Sequence, residues 1–118
     1  MEPKRRRHSV RDIERMKQRY KEDVNYRLRM YKCNAKNKGI EWELKDEEAA
    51  AAFRSSCHYC GLPPSPLNGI DRKDSKGKYE GMNILPCCTI CNYAKRTLTY
   101  AEFMAYLDRV VNFATSKR

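Results

Sequence analysis

Cys57-His58-Tyr59-Cys60, then Gly69-Ile70-Asp71-Arg72-Lys73-Asp74, then Cys88-Thr89-Ile90-Cys91-Asn92: the fold of this chain turns on how that stretch is read. A C-x-x-C pair lets one turn of backbone offer two thiolates, and two such pairs complete a tetrahedral four-sulfur site. Cys57, Cys60, Cys88 and Cys91 are therefore the expected ligands of a structural zinc ion. Disulfides, or a redox dithiol, are the other reading of the same spacing. Cys87 adjoins Cys88, and the C-x-x-C spacing selects Cys88. Between the pairs, Leu62-Pro63-Pro64-Ser65-Pro66 reads as a stiff spacer. Gly69-Ile70-Asp71-Arg72 then reads as a short strand, Lys73 to Gly81 as a loop, and Met82 to Pro86 as the returning strand of a hairpin. A short helix follows the second pair through Lys95.

Composition favours zinc over disulfides. The chain has 118 residues and six cysteines. Its mean hydropathy is −0.90, and a core built from so polar a chain needs a staple. No apolar stretch follows Met1-Glu2-Pro3-Lys4-Arg5-Arg6-Arg7-His8, so the expectation is an intracellular, reducing compartment with no membrane partner. Lys4 to Arg7 also fits a nuclear localisation cluster, or simply more phosphate-binding charge.

The net charge of +10 is uneven. Residues 1–38 hold 14 of the 25 Lys and Arg but 5 of the 15 acids, a surplus of nine. Such a surplus points to a polyanion, since phosphate neutralisation releases counterions. Arg5, Arg6, Arg7, Arg11, Arg15 and Arg19 are the candidate contacts on this arm, and a nucleic acid is the expected partner.

Ser9 and Asp12 have the spacing of a capping box. From there Val10, Ile13, Met16, Tyr20, Val24, Leu28, Tyr31 and Ala35 recur at helical steps. The pattern predicts one helix to about Asn37, stopped by Gly39, a rod of about 40 Å. The stripe either packs on the rest of the domain or forms a homodimer seam. Residues 1–38 read as a basic tail and helical arm, and residues 39–118 as a zinc-stapled domain. Ile40 to Leu44 alternates as a short strand, Asp46 caps a helix to about Ser55, and Thr99-x-x-Glu102 opens a closing helix. The fold class is α+β.

A second ion fits oxygen donors. Asp71 and Asn92 offer a carboxylate and an amide carbonyl, a hard set suited to Mg²⁺ or Mn²⁺, if the hairpin returns one to the other. Lys95, one turn past Asn92, is placed to reach the same phosphate. Alternatively Asp71 only pairs with Arg72 or a lysine.

Taken in order, Cys57-x-x-Cys60, Gly69-Ile70-Asp71-Arg72-x-Asp74, Gly77-x-Tyr79, Asn83 and Cys88-x-x-Cys91-Asn92-x-x-Lys95 resemble the HNH endonucleases. These are the ββα-metal, or His-Me finger, nucleases, and the likeness is to short phage- and virus-type members with a four-cysteine zinc. It spans about residues 31–108. The resemblance implies a ββα-metal core, metal ligation by Asp71 and Asn92, and a hairpin loop held by Asn83. It also implies hydrolysis of DNA phosphodiesters, in the host nucleus or in association with a virus or phage.

One position departs from the pattern. Where the family places a general-base histidine after the aspartate, this chain has Arg72, which cannot serve as a base near neutral pH. Its planar fork instead suits a phosphate. The sequence leaves three outcomes: a water acidified by the ion with help from Asp74, a proton acceptor at His58, or a nucleic-acid-binding or assembly module that no longer cuts.

Overall fold

The structure, a computed structural model, describes residues 7–118. Ser9 opens helix α1 (Val10–Glu22) with a reciprocal cap. Its hydroxyl accepts from the Asp12 amide at 3.2 Å, and the Asp12 carboxylate accepts from the Ser9 amide at 3.1 Å. The single rod to Asn37 does not form. Asp23 leaves helical geometry at φ −99° and ψ 107°, ending α1 and starting α2 (Val24–Asn37). Its amide still donates to the Arg19 carbonyl at 2.8 Å, and its carboxylate accepts from the Tyr26 amide at 3.1 Å. A short acid that satisfies an exposed amide competes with helix continuation, and here it wins. The helical stripe is divided by this break. Leu28 and Ala35 on α2 are buried, while α1 buries no residue and leaves Val10 74% exposed.

Gly39 ends α2 in the left-handed region at φ 69°. Its amide donates to Lys36 and that of Ile40 to Ala35, the two bonds of a Schellman stop. Ile40 to Leu44 keeps the alternating burial of a strand, with Leu44 buried and Glu41 and Glu43 exposed, but it joins no sheet. Its partner is a loop residue. Trp42 forms an isolated parallel bridge to Tyr79, closed by Glu43 N–H to Tyr79 O at 2.8 Å and Tyr79 N–H to Glu41 O at 2.9 Å. Helix α3 (Asp46–Phe53) begins at its expected cap, one residue early. Asp46 lies inside it and pairs with Lys32 of α2 at 2.8 Å, and the Glu48 carboxylate caps from within by accepting the Lys45 amide.

Strand β1 (Gly69–Arg72) pairs antiparallel with β2 (Ile84–Cys87), setting Asp71 opposite Leu85 and Arg72 opposite Ile84. Gly81–Asn83 is a 3-10 turn rather than the start of the returning strand. Cys88 caps α4 (Thr89–Lys95), and α5 (Tyr100–Ser116) closes the chain behind a Thr99–Glu102 cap. Among the described residues no helix is long and apolar enough to cross a membrane.

The apolar core joins Leu28, Leu44, Ala49, Ala52, Phe53 and Ile70, with Tyr31, Trp42 and Tyr79 packed around it. Burying a side chain such as Phe53 or Ile70 is worth about 1.5–3 kcal/mol, so the core holds α2, α3 and the hairpin together. Two polar residues inside it were not singled out by the sequence. Arg27 donates to Tyr20 O at 2.9 Å and Asn68 O at 3.1 Å and lies 4.1 Å from the Tyr20 ring centre, tying α1 to the domain. The Asn68 amide group donates to Ser55 O and Leu62 O, both at 3.0 Å, and so pins the proline-rich spacer. Asn68→Ala removes both side-chain hydrogen bonds from a buried position and is expected to cost about 1–3 kcal/mol. Urea unfolding reads this as a lower midpoint at unchanged slope, and an unchanged midpoint refutes it.

Candidate active site and zinc centre

The four expected sulfur ligands meet. The Sγ atoms of Cys57, Cys60, Cys88 and Cys91 all lie within 4.8 Å of one another, and all four thiols are free. Metal–sulfur bonds of about 2.3 Å in a tetrahedron require sulfur–sulfur edges of about 3.8 Å. The Cys60–Cys88 edge measures 3.7 Å, well beyond the ~2.05 Å of a disulfide. Burial raises the Cys57 thiol, but the amides of Cys88, Cys60 and Tyr59 outweigh it and bring it down to about 6. Burial and contact with Cys88, Cys60 and Cys57 push Cys91 up. Thiols this close cannot all ionise without a cation among them, and zinc's double charge supplies one. The donor set therefore fits zinc and leaves no open position. Cys87 packs beside the cluster, its sulfur directed to the Cys88 carbonyl at 3.4 Å.

The clamp fixes what lies next to it. Ile70 points into the apolar core, so pleating turns Asp71 to the other face of β1, where α4 packs. Asp71 is buried, with both oxygens engaged: Tyr59 O–H donates to Oδ2 at 2.6 Å, and Lys95 Nζ donates to Oδ1 at 3.3 Å. Tyr59 comes from between the first two zinc ligands, and Lys95 from the helix that carries the last. Burial, reinforced by the Asp71 carboxylate, raises the Tyr59 phenol, so it stays protonated and donating. Lys95 is fully buried. It also donates to Arg72 O at 3.0 Å, which spends its ammonium inside the protein rather than on an external phosphate.

Asn92 is exposed on α4. Asp71 and Asn92 line one open cleft of about 900 Å³, together with Arg72, Tyr79, Tyr93 and Arg96, while Lys21 and Lys38 stand on its helical wall. The Arg72 guanidinium donates to Gly77 O at 2.7 Å and lies 5.2 Å from the Tyr79 ring centre. Asp74 sits at the loop, where its carboxylate accepts from the Lys76 amide at 3.0 Å. The Asn83 side chain spans that loop, accepting from the Asp74 amide and donating to Asp74 O and Lys78 O at 2.9–3.1 Å. A Cβ on Gly77 would meet Asn83 Nδ2 at 2.8 Å. Gly77→Ala is expected to lower thermal stability by about 1–3 kcal/mol through that overlap, and an unshifted melting midpoint refutes it.

His58 is exposed, bonded to the Tyr100 hydroxyl at 2.9 Å, and it does not line the cleft. Arg7, Arg11, Arg15 and Arg19 are exposed outside the cleft, and Arg19 is paired with Asp23 at 3.4 Å. Arg5 and Arg6 lie outside the described residues. Two residues of the site escaped the sequence reading, Tyr59 on the Asp71 carboxylate and Arg96 in the cleft lining. Tyr59 carried a signal, since a side chain inside a C-x-x-C turn is held as firmly as the metal. Arg96 carried none; it has φ 48° and ψ −114°, a conformation that costs a non-glycine residue about 1–3 kcal/mol.

A hairpin flanked by a four-cysteine cluster and followed by a helix, with an aspartate on its first strand and an asparagine on the helix, has the architecture of the HNH endonuclease fold. Among known structures, the fold is similar to that of the HNH restriction endonuclease PacI, described for its mechanism of DNA perturbation. It has a TM-score of 0.63 and 17% identity, and covers 80% of this chain and 81% of that one. A stretch of 84 residues, 70% of this chain, is 32% identical to an uncharacterised protein of Acanthamoeba polyphaga mimivirus, and spans 16% of that protein's length. No protein-family model matches the sequence.

Proposed function

We propose that the protein is a divalent-metal-dependent endonuclease that hydrolyses phosphodiester bonds of double-stranded DNA. The observation that carries this reading is the buried Asp71 carboxylate, gripped by Tyr59 and Lys95 at a cleft that Asn92 also lines. A carboxylate accepts at about four lone-pair positions, so two remain after Tyr59 and Lys95 are served. Asp71 and the Asn92 carbonyl would hold Mg²⁺ or Mn²⁺. An ion bound there supplies positive charge for the phosphate and for the departing oxygen.

The remaining work falls to the chain. Tyr59 and Lys95 fix the direction of the carboxylate. The Lys95 ammonium also opposes a second cation, so the reading expects weak binding, with cleavage saturating at millimolar rather than micromolar metal. Asn83 keeps the loop closed behind β1. Arg72, stacked on Tyr79 and anchored at Gly77, has guanidinium donors left for a phosphate. Lys21, Lys38 and Arg96 carry the positive charge of the cleft outward. Arg11, Arg15 and Arg19, four residues apart along one face of α1, extend it along the DNA backbone. Each neutralised phosphate should steepen the fall of log K with log salt by about 0.9.

The second reading is a module on the same fold that binds without cutting. It is favoured by Arg72 in the place of a base and by the absence of both histidines from the cleft lining. A supercoiled-plasmid assay with Mg²⁺ or Mn²⁺ separates the two. Nicking that saturates at millimolar metal and is lost in Asn92→Ala supports the nuclease. Salt-sensitive binding with no nicking under either ion supports the module.

A further inference from the structure

Arg96 holds the one positive φ outside glycine among the described residues. The cause is local. Lys95 is drawn fully inside to Asp71 and to the carbonyl of Arg72, so α4 cannot continue past it. The chain must reverse at once, and Leu98 N–H closes back on Lys95 O at 2.9 Å, ahead of the Thr99 cap of α5. A helix end of this kind takes glycine without penalty, because glycine has no Cβ to clash. An arginine stands there instead. Its guanidinium makes no hydrogen bond, ion pair or aromatic contact among the described residues. It lines the cleft with Asp71, Arg72 and Asn92. The side chain therefore returns nothing to the fold for the strained backbone that carries it.

We infer that Arg96 is a phosphate-binding residue, held at the mouth of the cleft beside Asn92 to grip the backbone of the nucleic acid being processed. The inference rests on the nucleic-acid reading of the cleft and adds a specific contact to it. Strain kept at a position where glycine would relieve it is a mark of function when the side chain faces a site. A planar, permanently charged fork with unused donors matches a phosphate diester.

The test sets stability against binding. Arg96→Gly is expected to raise the melting midpoint by about 4 °C or more. The same change should weaken binding to a duplex DNA oligonucleotide about tenfold, measured by fluorescence anisotropy without divalent ions, and flatten the salt slope by about 0.9. Arg96→Ala keeps the strained backbone without the charge, so it should lose the same affinity with no gain in stability. Arg96→Lys should recover most of the salt slope. If wild type binds the duplex and Arg96→Gly binds it equally, with the same slope, the inference is overturned and the nucleic-acid reading stands. If wild type binds no duplex at low salt, both are overturned.

Discussion

Cys88→Ser, or removal of zinc by a chelator, is expected to abolish the cooperative melting transition of the hairpin end of the molecule. The scale follows from two magnitudes. Structural zinc sites bind with about 10–16 kcal/mol of apparent free energy, and domains are stable by about 5–15. The sulfurs hold together the first knuckle, the end of β2 and the start of α4, which are otherwise joined by Cys87, by Tyr59 and by the bond from His58 N–H to Pro86 O. Serine is an informative replacement at this position. Cys88 caps α4 through its sulfur, accepting from the Cys91 amide at 3.4 Å, and serine caps helices well. Any loss therefore reports the metal bond rather than the cap. Elemental analysis should find about one zinc per wild-type chain, and Cys33→Ser should keep it. An apo chain that melts at the wild-type temperature would show that the four thiols need no ion.

The second large effect is expected at Asp71. Asp71→Asn should reduce plasmid nicking by about a thousandfold, the scale of losing a metal that offsets several kcal/mol of developing charge. It should also destabilise the fold by about 3–5 kcal/mol, because the Lys95 ammonium is left buried without its counterion. A second substitution separates the two consequences. Adding Lys95→Met to Asp71→Asn removes the orphaned charge and should restore much of the stability while nicking stays lost. Asn92→Ala, at an exposed position, should lose nicking with a stability change within about 0.5 kcal/mol. If the folded Asp71→Asn protein nicks at the wild-type rate, the proposed site is in the wrong place.

The cysteine pairs and the hairpin strand were legible because their determinants are local. C-x-x-C fixes two ligands within one turn, and Gly69 to Arg72 is bounded by the proline-rich spacer before it and the glycine-bearing loop after it. The Ser9 and Thr99 caps were legible for the same reason. The break at Asp23 was hidden because its neighbours continue the apolar period of three and four, and the period says nothing about a side chain that competes for the backbone. The bridge of Trp42 to Tyr79 was hidden because its partner is a loop residue far along the chain. Lys95 was read as an outward-facing charge from its place one turn after Asn92. The spacing was right and the direction was not: a lysine on the buried face of a seven-residue helix finds Asp71 before it finds solvent. Sulfur ligands announce themselves by spacing. Groups that orient a carboxylate do so through the fold, so the grip of Tyr59 and Lys95 on Asp71 became visible only with the chain folded.

Asp71 receives its hydrogen-bonding partners from both directions along the chain: Tyr59 is made before it and Lys95 after it. A polypeptide that has left the ribosome only as far as Leu85 has half its sulfurs, no ammonium for the acid, and no Asn92. For the proposed nuclease, a copy truncated there would lack the helix that carries Asn92, and cutting would wait until the last cysteine and its helix have emerged.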